Sequence, residues 1–184
     1  ASAASAAESP MARYASQQDR PYNAPYEGPY LDHVAFPLGG IGAGMVCLEG
    51  SGCLAQVSVR HQPEVFKEPM AFAAVFVKAG DQEVARVLEG PVPGYKVLRT
   101  RGTDFNGSGN GAGGTTYGLP RFRDTALLAR FPFATLSMSD PTVPLGAELT
   151  GWSPFEPGDA DNSSLPVAAL EYRFTNRGKS SLEA

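Results

Sequence analysis

Hydrophobic and polar positions along this chain alternate in short bursts rather than in helical periods. Leu54-Ala55-Gln56-Val57-Ser58-Val59-Arg60 sets Ala55, Val57 and Val59 on one face and Gln56, Ser58 and Arg60 on the other, the period of a half-buried strand. Residues 71–78 are apolar on both faces and predict a strand that lies centrally. Further short segments rich in β-branched or aromatic residues follow at 84–88, 95–100, 126–131, 134–139, 145–152 and 167–175, separated by Gly, Pro, Asn and Asp. No stretch carries a convincing amphipathic helix. With 21 Gly and 16 Pro to punctuate the strands, the pattern predicts an all-β domain, an antiparallel β-sandwich. The segment 167–175 runs into the polar turn Asn176-Arg177-Gly178-Lys179, after which a partner strand is expected, so the sandwich reads as lacking its last strands.

The organising stretch is Phe36-Pro37-Leu38-Gly39-Gly40-Ile41-Gly42-Ala43-Gly44-Met45. Gly39, Gly40, Gly42 and Gly44 let the backbone turn where a side chain would clash, and the apolar runs after them predict a hairpin across Glu49-Gly50-Ser51-Gly52. Cys47 and Cys53 flank that turn and are expected to pack in the core. A turn centred on Gly50 would set them opposite each other, where a cross-strand disulfide is the alternative. Ahead of this stretch, residues 1–20 are small and polar and read as a mobile terminus. Residues 21–35 carry Pro21-Tyr22, Pro25-Tyr26 and Pro29-Tyr30, and the prolines predict an extended arm. The arm either lies across its own domain or presents tyrosines to a partner. The sandwich domain is assigned to 36–184, with the glycine-rich 106–114 as an exposed insertion.

Charge and composition exclude several functions. A net charge of −4, with Lys and Arg scattered, provides no footprint for nucleic acid. The longest apolar run, 71–77, is far short of the roughly 20 residues of a spanning helix, so no transmembrane segment is expected. The opening Ala-Ser repeat lacks a hydrophobic core. It is compatible with the stub of a removed export signal or with the end of a fragment.

Candidate chemistry is sparse. Gly109, Gly111 and Gly114 match a dinucleotide-binding spacing, but neither a preceding βαβ strand nor a following helix accompanies them. His61 and Glu64 are separated by a helix-breaking Pro63, and His33 is the only other imidazole, so no metal site is assigned. Asp159-Ala160-Asp161-Asn162 lacks the glycine and terminal glutamate of a calcium loop and reads as a solvated turn. No catalytic residues and no cofactor are assigned. Arg60, His61, Arg121, Phe122, Arg123 and Trp152 are long polar and aromatic side chains expected at strand ends, suited to an interface or to the rim of a sugar cleft.

An ordered series of motifs adds an identification. The Phe36 to Gly44 stretch, the strand to Arg60, and Leu119-Pro120-Arg121-Phe122-Arg123 come first. Phe131-Pro132-Phe133-Ala134, Asp140-Pro141, Ser153-Pro154-Phe155-Glu156-Pro157 and Leu165-Pro166-Val167 follow. Together they resemble the N-terminal domain of glycoside hydrolase family 116, the bile-acid β-glucosidases and non-lysosomal glucosylceramidases. The resemblance implies a β-sandwich that packs on a C-terminal (α/α)6 barrel hydrolysing β-glucosides with retention. Its partner is then the catalytic domain of the same polypeptide, and its substrate is the parent enzyme's glycoside. Both catalytic carboxylates of that family sit in the barrel, and no position here corresponds to them. A support domain, inactive alone, is the leading reading. An independent carbohydrate-binding module and a protein-interaction domain are the alternatives.

Overall fold

The computed structural model describes residues 20–65, 67–97 and 117–184. The expectations for the N-terminal 1–19 and for the insertion at 106–114 therefore lie outside the described residues. In chain order the elements are β1 (Tyr26–Glu27), a 3-10 helix (Gly28–His33), β2 (Ala35–Leu38), β3 (Met45–Glu49), β4 (Leu54–Val59) and β5 (Gln62–Glu64). Then come β6 (Ala74–Ala79), β7 (Gln82–Val87), α1 (Gly94–Val97), β8 (Asp124–Arg130), β9 (Phe133–Ser139), β10 (Leu145–Trp152), α2 (Ala160–Ser163) and β11 (Ala169–Asn176).

All the sheets are antiparallel. One has the order β1-β8-β9-β10-β11, a second β2-β3-β4-β5, and a third is the β6-β7 hairpin. The alternation that predicts the strands also builds the core. Ala134, Leu136 and Met138 of β9 stand opposite Gly151, Leu149 and Ala147 of β10, and all six are buried. Phe36, Leu38 and Leu48 of the second sheet and Val75 and Val77 of the third join them in one apolar cluster. The contact between layers is close: a methyl on Gly151 would lie 3.0 Å from Leu48 and 3.1 Å from Leu38. This is the expected all-β sandwich, with two smaller sheets opposed to a larger one.

Four local expectations are corrected. Residues 95–97 are not strand: they lie in α1, whose turn follows Pro93, with the Lys96 N–H donating to the Pro93 carbonyl at 2.9 Å. Residues 98–100 lie outside the described ones. The run 71–78 is not central. Among the described residues its strand β6 forms a two-stranded sheet with β7 and meets a single bridge, Lys78 to Glu183, on its other edge, and it alternates buried Val75 and Val77 with exposed Ala74 and Phe76. The alternation of β4 is broken by a bulge, with Cys47 opposite Ala55 but Met45 opposite Ser58 and Gln56 at φ 56°. Ala55 and Ser58 consequently share a face. The arm is only partly extended: after Gly28, at φ 53°, Pro29 opens a 3-10 helix, where its missing N–H costs nothing.

The arm lies against its own domain at Tyr26. That residue pairs with Leu127, packs on the core and carries the Arg20 guanidinium 4.0 Å above its ring. The cysteines do not meet. Glu49 N–H bonds the Cys53 carbonyl, so the turn is centred beyond Gly50, Cys47 faces Ala55, and both thiols are free.

The third sheet is tied to the first by Asp140. Burial raises its carboxyl pKa, but hydrogen bonds from the Thr142 hydroxyl (2.6 Å), the Thr142 N–H (2.8 Å) and Arg86 (3.3 Å) outweigh this and hold it below the ordinary value of 3.8. A lowered folded pKa contributes stability that is full above pH 3.8 and is lost as pH falls through the folded value. Denaturant midpoints measured from pH 5 to pH 2 should therefore fall more steeply for the native chain than for Asp140→Asn.

Candidate functional site

The registers put the chain's turns at two opposite ends of the sandwich. At one end lie the 39–44 turn between β2 and β3, the β4–β5 turn, the Phe131-Pro132 turn between β8 and β9, and the 153–168 connection after β10. The glycine turn is stitched to that connection. Gly39 N–H donates to Ser153 Oγ at 2.6 Å and Ile41 N–H to the Ser163 carbonyl at 2.9 Å. Gly40 is the closest approach: a Cβ there would lie 2.3 Å from the Leu165 carbonyl oxygen and 2.5 Å from that of Ser164. Gly39, Gly42 and Gly44 take φ of 139°, 75° and 110°. The organising stretch thus joins two sheets through backbone contacts that a side chain would block.

Arg60 and His61 form the two-residue β4–β5 turn at φ 55° and 57°, the mirror-image hairpin geometry, with both side chains exposed. Trp152, at the end of β10, is half-buried beside Phe133, their rings 6.5 Å apart. Phe131 meets Phe155 edge to face at 4.8 Å. Around the stitched turn Ile41 is 62% exposed, Phe131 66%, Phe133 47%, Phe155 40%, Leu165 45% and Val167 44%. These exposed apolar side chains lie on or beside the connections at this end of the sandwich. Asp159 lies in the same connection and caps α2, its carboxylate accepting the Asn162 N–H at 3.0 Å.

Arg121, Phe122 and Arg123 lie at the opposite end, where β8 begins, so the structure does not gather the six candidate side chains into one site. Phe122 is core, 1% exposed. Arg121 is buried against Glu89, whose carboxyl burial pushes up and Arg121 partly restores. Arg123 is exposed on the wall of a groove of about 900 Å³, with Asp32, Ser51, Asp124 and Arg177.

Beside that groove is a cluster that no motif announces. The Lys96 ammonium is buried and donates to both Glu49 and Glu68. Tyr117 Oη lies 2.8 Å from both Glu68 oxygens, and Gln56 Nε2 donates to Glu49 at 3.3 Å. Burial alone would push the lysine down, but the Glu49 charge and the hydrogen bonds to both carboxylates carry it above the ordinary value. The available signal in the sequence was a lone charge at the end of, or inside, an apolar run: Glu49 after Val46-Cys47-Leu48, Glu89 after Val87-Leu88, and Lys96 between Tyr95 and Val97. A charge so placed must find a buried partner.

Ligand atoms of Glu49, Glu68 and Cys53 lie within 4.8 Å of one another, near the separation of two glycosidase carboxylates and within reach of a metal. Both uses would have to displace Lys96. Lys96 takes the place a cation would occupy. Burial and the neighbouring acids push the Cys53 thiol far up, so it stays protonated. Lys96 ties α1, the segment at Glu68, Tyr117 and the β3–β4 turn into one unit.

The domain is thus an antiparallel β-sandwich with paired buried charges and with exposed apolar side chains at its glycine-turn end. A family model described as beta-glucosidase 2, glycosyl-hydrolase family 116 N-term, matches residues 35–184. The chain belongs to glycoside hydrolase family 116, in its N-terminal domain. No curated protein matches it significantly.

Proposed function

We propose that this domain supports the catalytic domain of a retaining β-glucosidase of family 116 and docks on it through the glycine-turn end. The carrying observation is the apolar surface there: Ile41, Phe131, Phe133, Phe155, Leu165 and Val167 converge on a turn fixed by backbone contacts, so they are presented rigidly. The domain supplies contact, not proton transfer. Trp152, Arg60 and His61 belong to this contact end. Arg121 and Phe122 hold the domain together, and Arg123 lies away from the contact.

Replacing Phe131 and Phe155 together by Ser separates docking from folding. Phe131 is mostly in water and Phe155 is 40% exposed, so the isolated domain should lose only about 1–2 kcal/mol, chiefly their ring–ring contact. In the whole enzyme the same pair is expected to lower Tm by several degrees and to loosen the domains, read by limited proteolysis between them. An unchanged whole enzyme would contradict the assignment of this end. Affinity of the isolated chain for a β-glucoside, lost with the same pair, would favour a carbohydrate-binding module instead.

A further inference from the structure

The small sheet has an edge that is only begun. β6 pairs with β7 along one side. On the other side the Lys78 N–H and C=O both bond Glu183, at 2.8 and 3.1 Å. Backbone groups of alternate residues point to the same edge, so those of Phe76 and Ala74 point where those of Lys78 do. Among the described residues no backbone bond reaches them. The side chains keep the same phase: Leu182 packs on the core, Glu183 is in water, and Val77 and Val75 are inward while Phe76 is 54% exposed.

The core side of β11, the strand that precedes this bridge in the chain, is bare as well. Leu170 and Phe174 of β11 stand opposite Gly151 and Ala147, on the core side of their sheet, yet remain 37% and 45% exposed. β11 leads through the 177–181 turn directly to Leu182.

We propose that the bridge at Glu183 is the first rung of a twelfth strand. The occupant of the edge is the polypeptide's own continuation beyond Glu183, antiparallel to β6 and in register past Phe76 and Ala74. Continuity with an existing two-bond rung selects it, because the rung fixes direction and phase. Residues opposite Val77, Val75 and Ala73 turn inward and cover Phe174 and Leu170, and those opposite Phe76 and Ala74 turn to solvent. The strand makes β6 central, with a neighbour on each side.

The probe is this chain lengthened after Ala184 by Thr-Val-Thr-Val, which sets the valines opposite Val75 and Ala73. Its control is lengthened by Val-Thr-Val-Thr, which sets them outward. Amide hydrogen exchange by NMR should slow more than tenfold at Phe76 and Ala74 in the first and not in the control, with a higher Tm. Unchanged exchange in the first, or equal protection by both, would overturn the proposal. Protection that appears only as the chain dimerises would give the edge to a second copy and overturn it equally.

Discussion

Lys96→Met is expected to destabilise the domain by about 3–5 kcal/mol, the cost of leaving buried charge without its partner. The ammonium holds Glu49 and Glu68 together, and its removal leaves two buried carboxylates facing each other. Methionine fills a similar volume, so the loss reports charge rather than packing. The triple variant Lys96→Met, Glu49→Gln, Glu68→Gln should recover much of it, because no unpaired ion remains. The pH dependence has a definite sign. A lysine whose folded pKa is raised contributes stability that is complete below its unfolded value, 10.5, and is lost as pH rises through the folded value. The native chain should therefore hold this contribution through pH 9. Denaturant unfolding at pH 7 and pH 9 checks both points, and a Lys96→Met midpoint within error of the native one would show that the cluster is not structural.

Gly40→Val should cost about 3 kcal/mol or more, because its Cβ meets two main-chain carbonyls that belong to a different sheet connection. Backbone cannot rotate away as a side chain can, so the 153–165 connection must lift off the turn. Gly42→Ala is the internal comparison. It stands in open space, so only its φ of 75° resists the substitution, at about 1–2 kcal/mol. The order Gly40 above Gly42 in denaturant midpoint loss is the expected result, and the reverse order would remove the stitching role of this turn. Since the turn meets the backbone at Leu165 and carries Ile41, Gly40→Val should also weaken the proposed docking.

Strand composition was readable wherever a strand had a wet face and a dry face. β8, β9 and β10 follow from their side chains because sheet pairing rewards the same alternation that burial does. The glycine turn was legible for a related reason: four glycines in six residues have few uses other than close backbone approach. The misread segments show what alternation leaves out. Residues 71–78 look central because both faces are apolar, but what pairs along β6 is a question of sheet order, which side-chain pattern does not encode. Tyr95, Lys96 and Val97 read as strand by propensity, while Pro93 and the pull of two distant carboxylates on Lys96 favour a helical turn. The bulge at Gln56 shifts β4 by one residue, and neither Gln nor its neighbours signal a left-handed backbone.

The six candidate residues divide for a similar reason. Arg60, His61 and Trp152 were identified by type, and register alone places them at the same end of the sandwich. Arg121 and Phe122 are of the same types and belong to the interior of the other end, where Glu89 and the core hold them. Residue type therefore indicated which side chains seek a partner, and only the fold decided whether that partner lies inside the domain.

The most direct measurement of the central claim is hydrolysis by this chain alone. Retaining glycosidases need two carboxyl groups about 5 Å apart across the scissile bond, one of them kept protonated, in a cleft that admits the sugar. Among the described residues Glu49 and Glu68 come this close, and Lys96 pairs with both. Purified chain assayed with an aryl β-glucoside should show no turnover above buffer, while the whole enzyme hydrolyses it. Turnover that follows the protein through repeated purification and disappears with Glu68→Gln would contradict the support role.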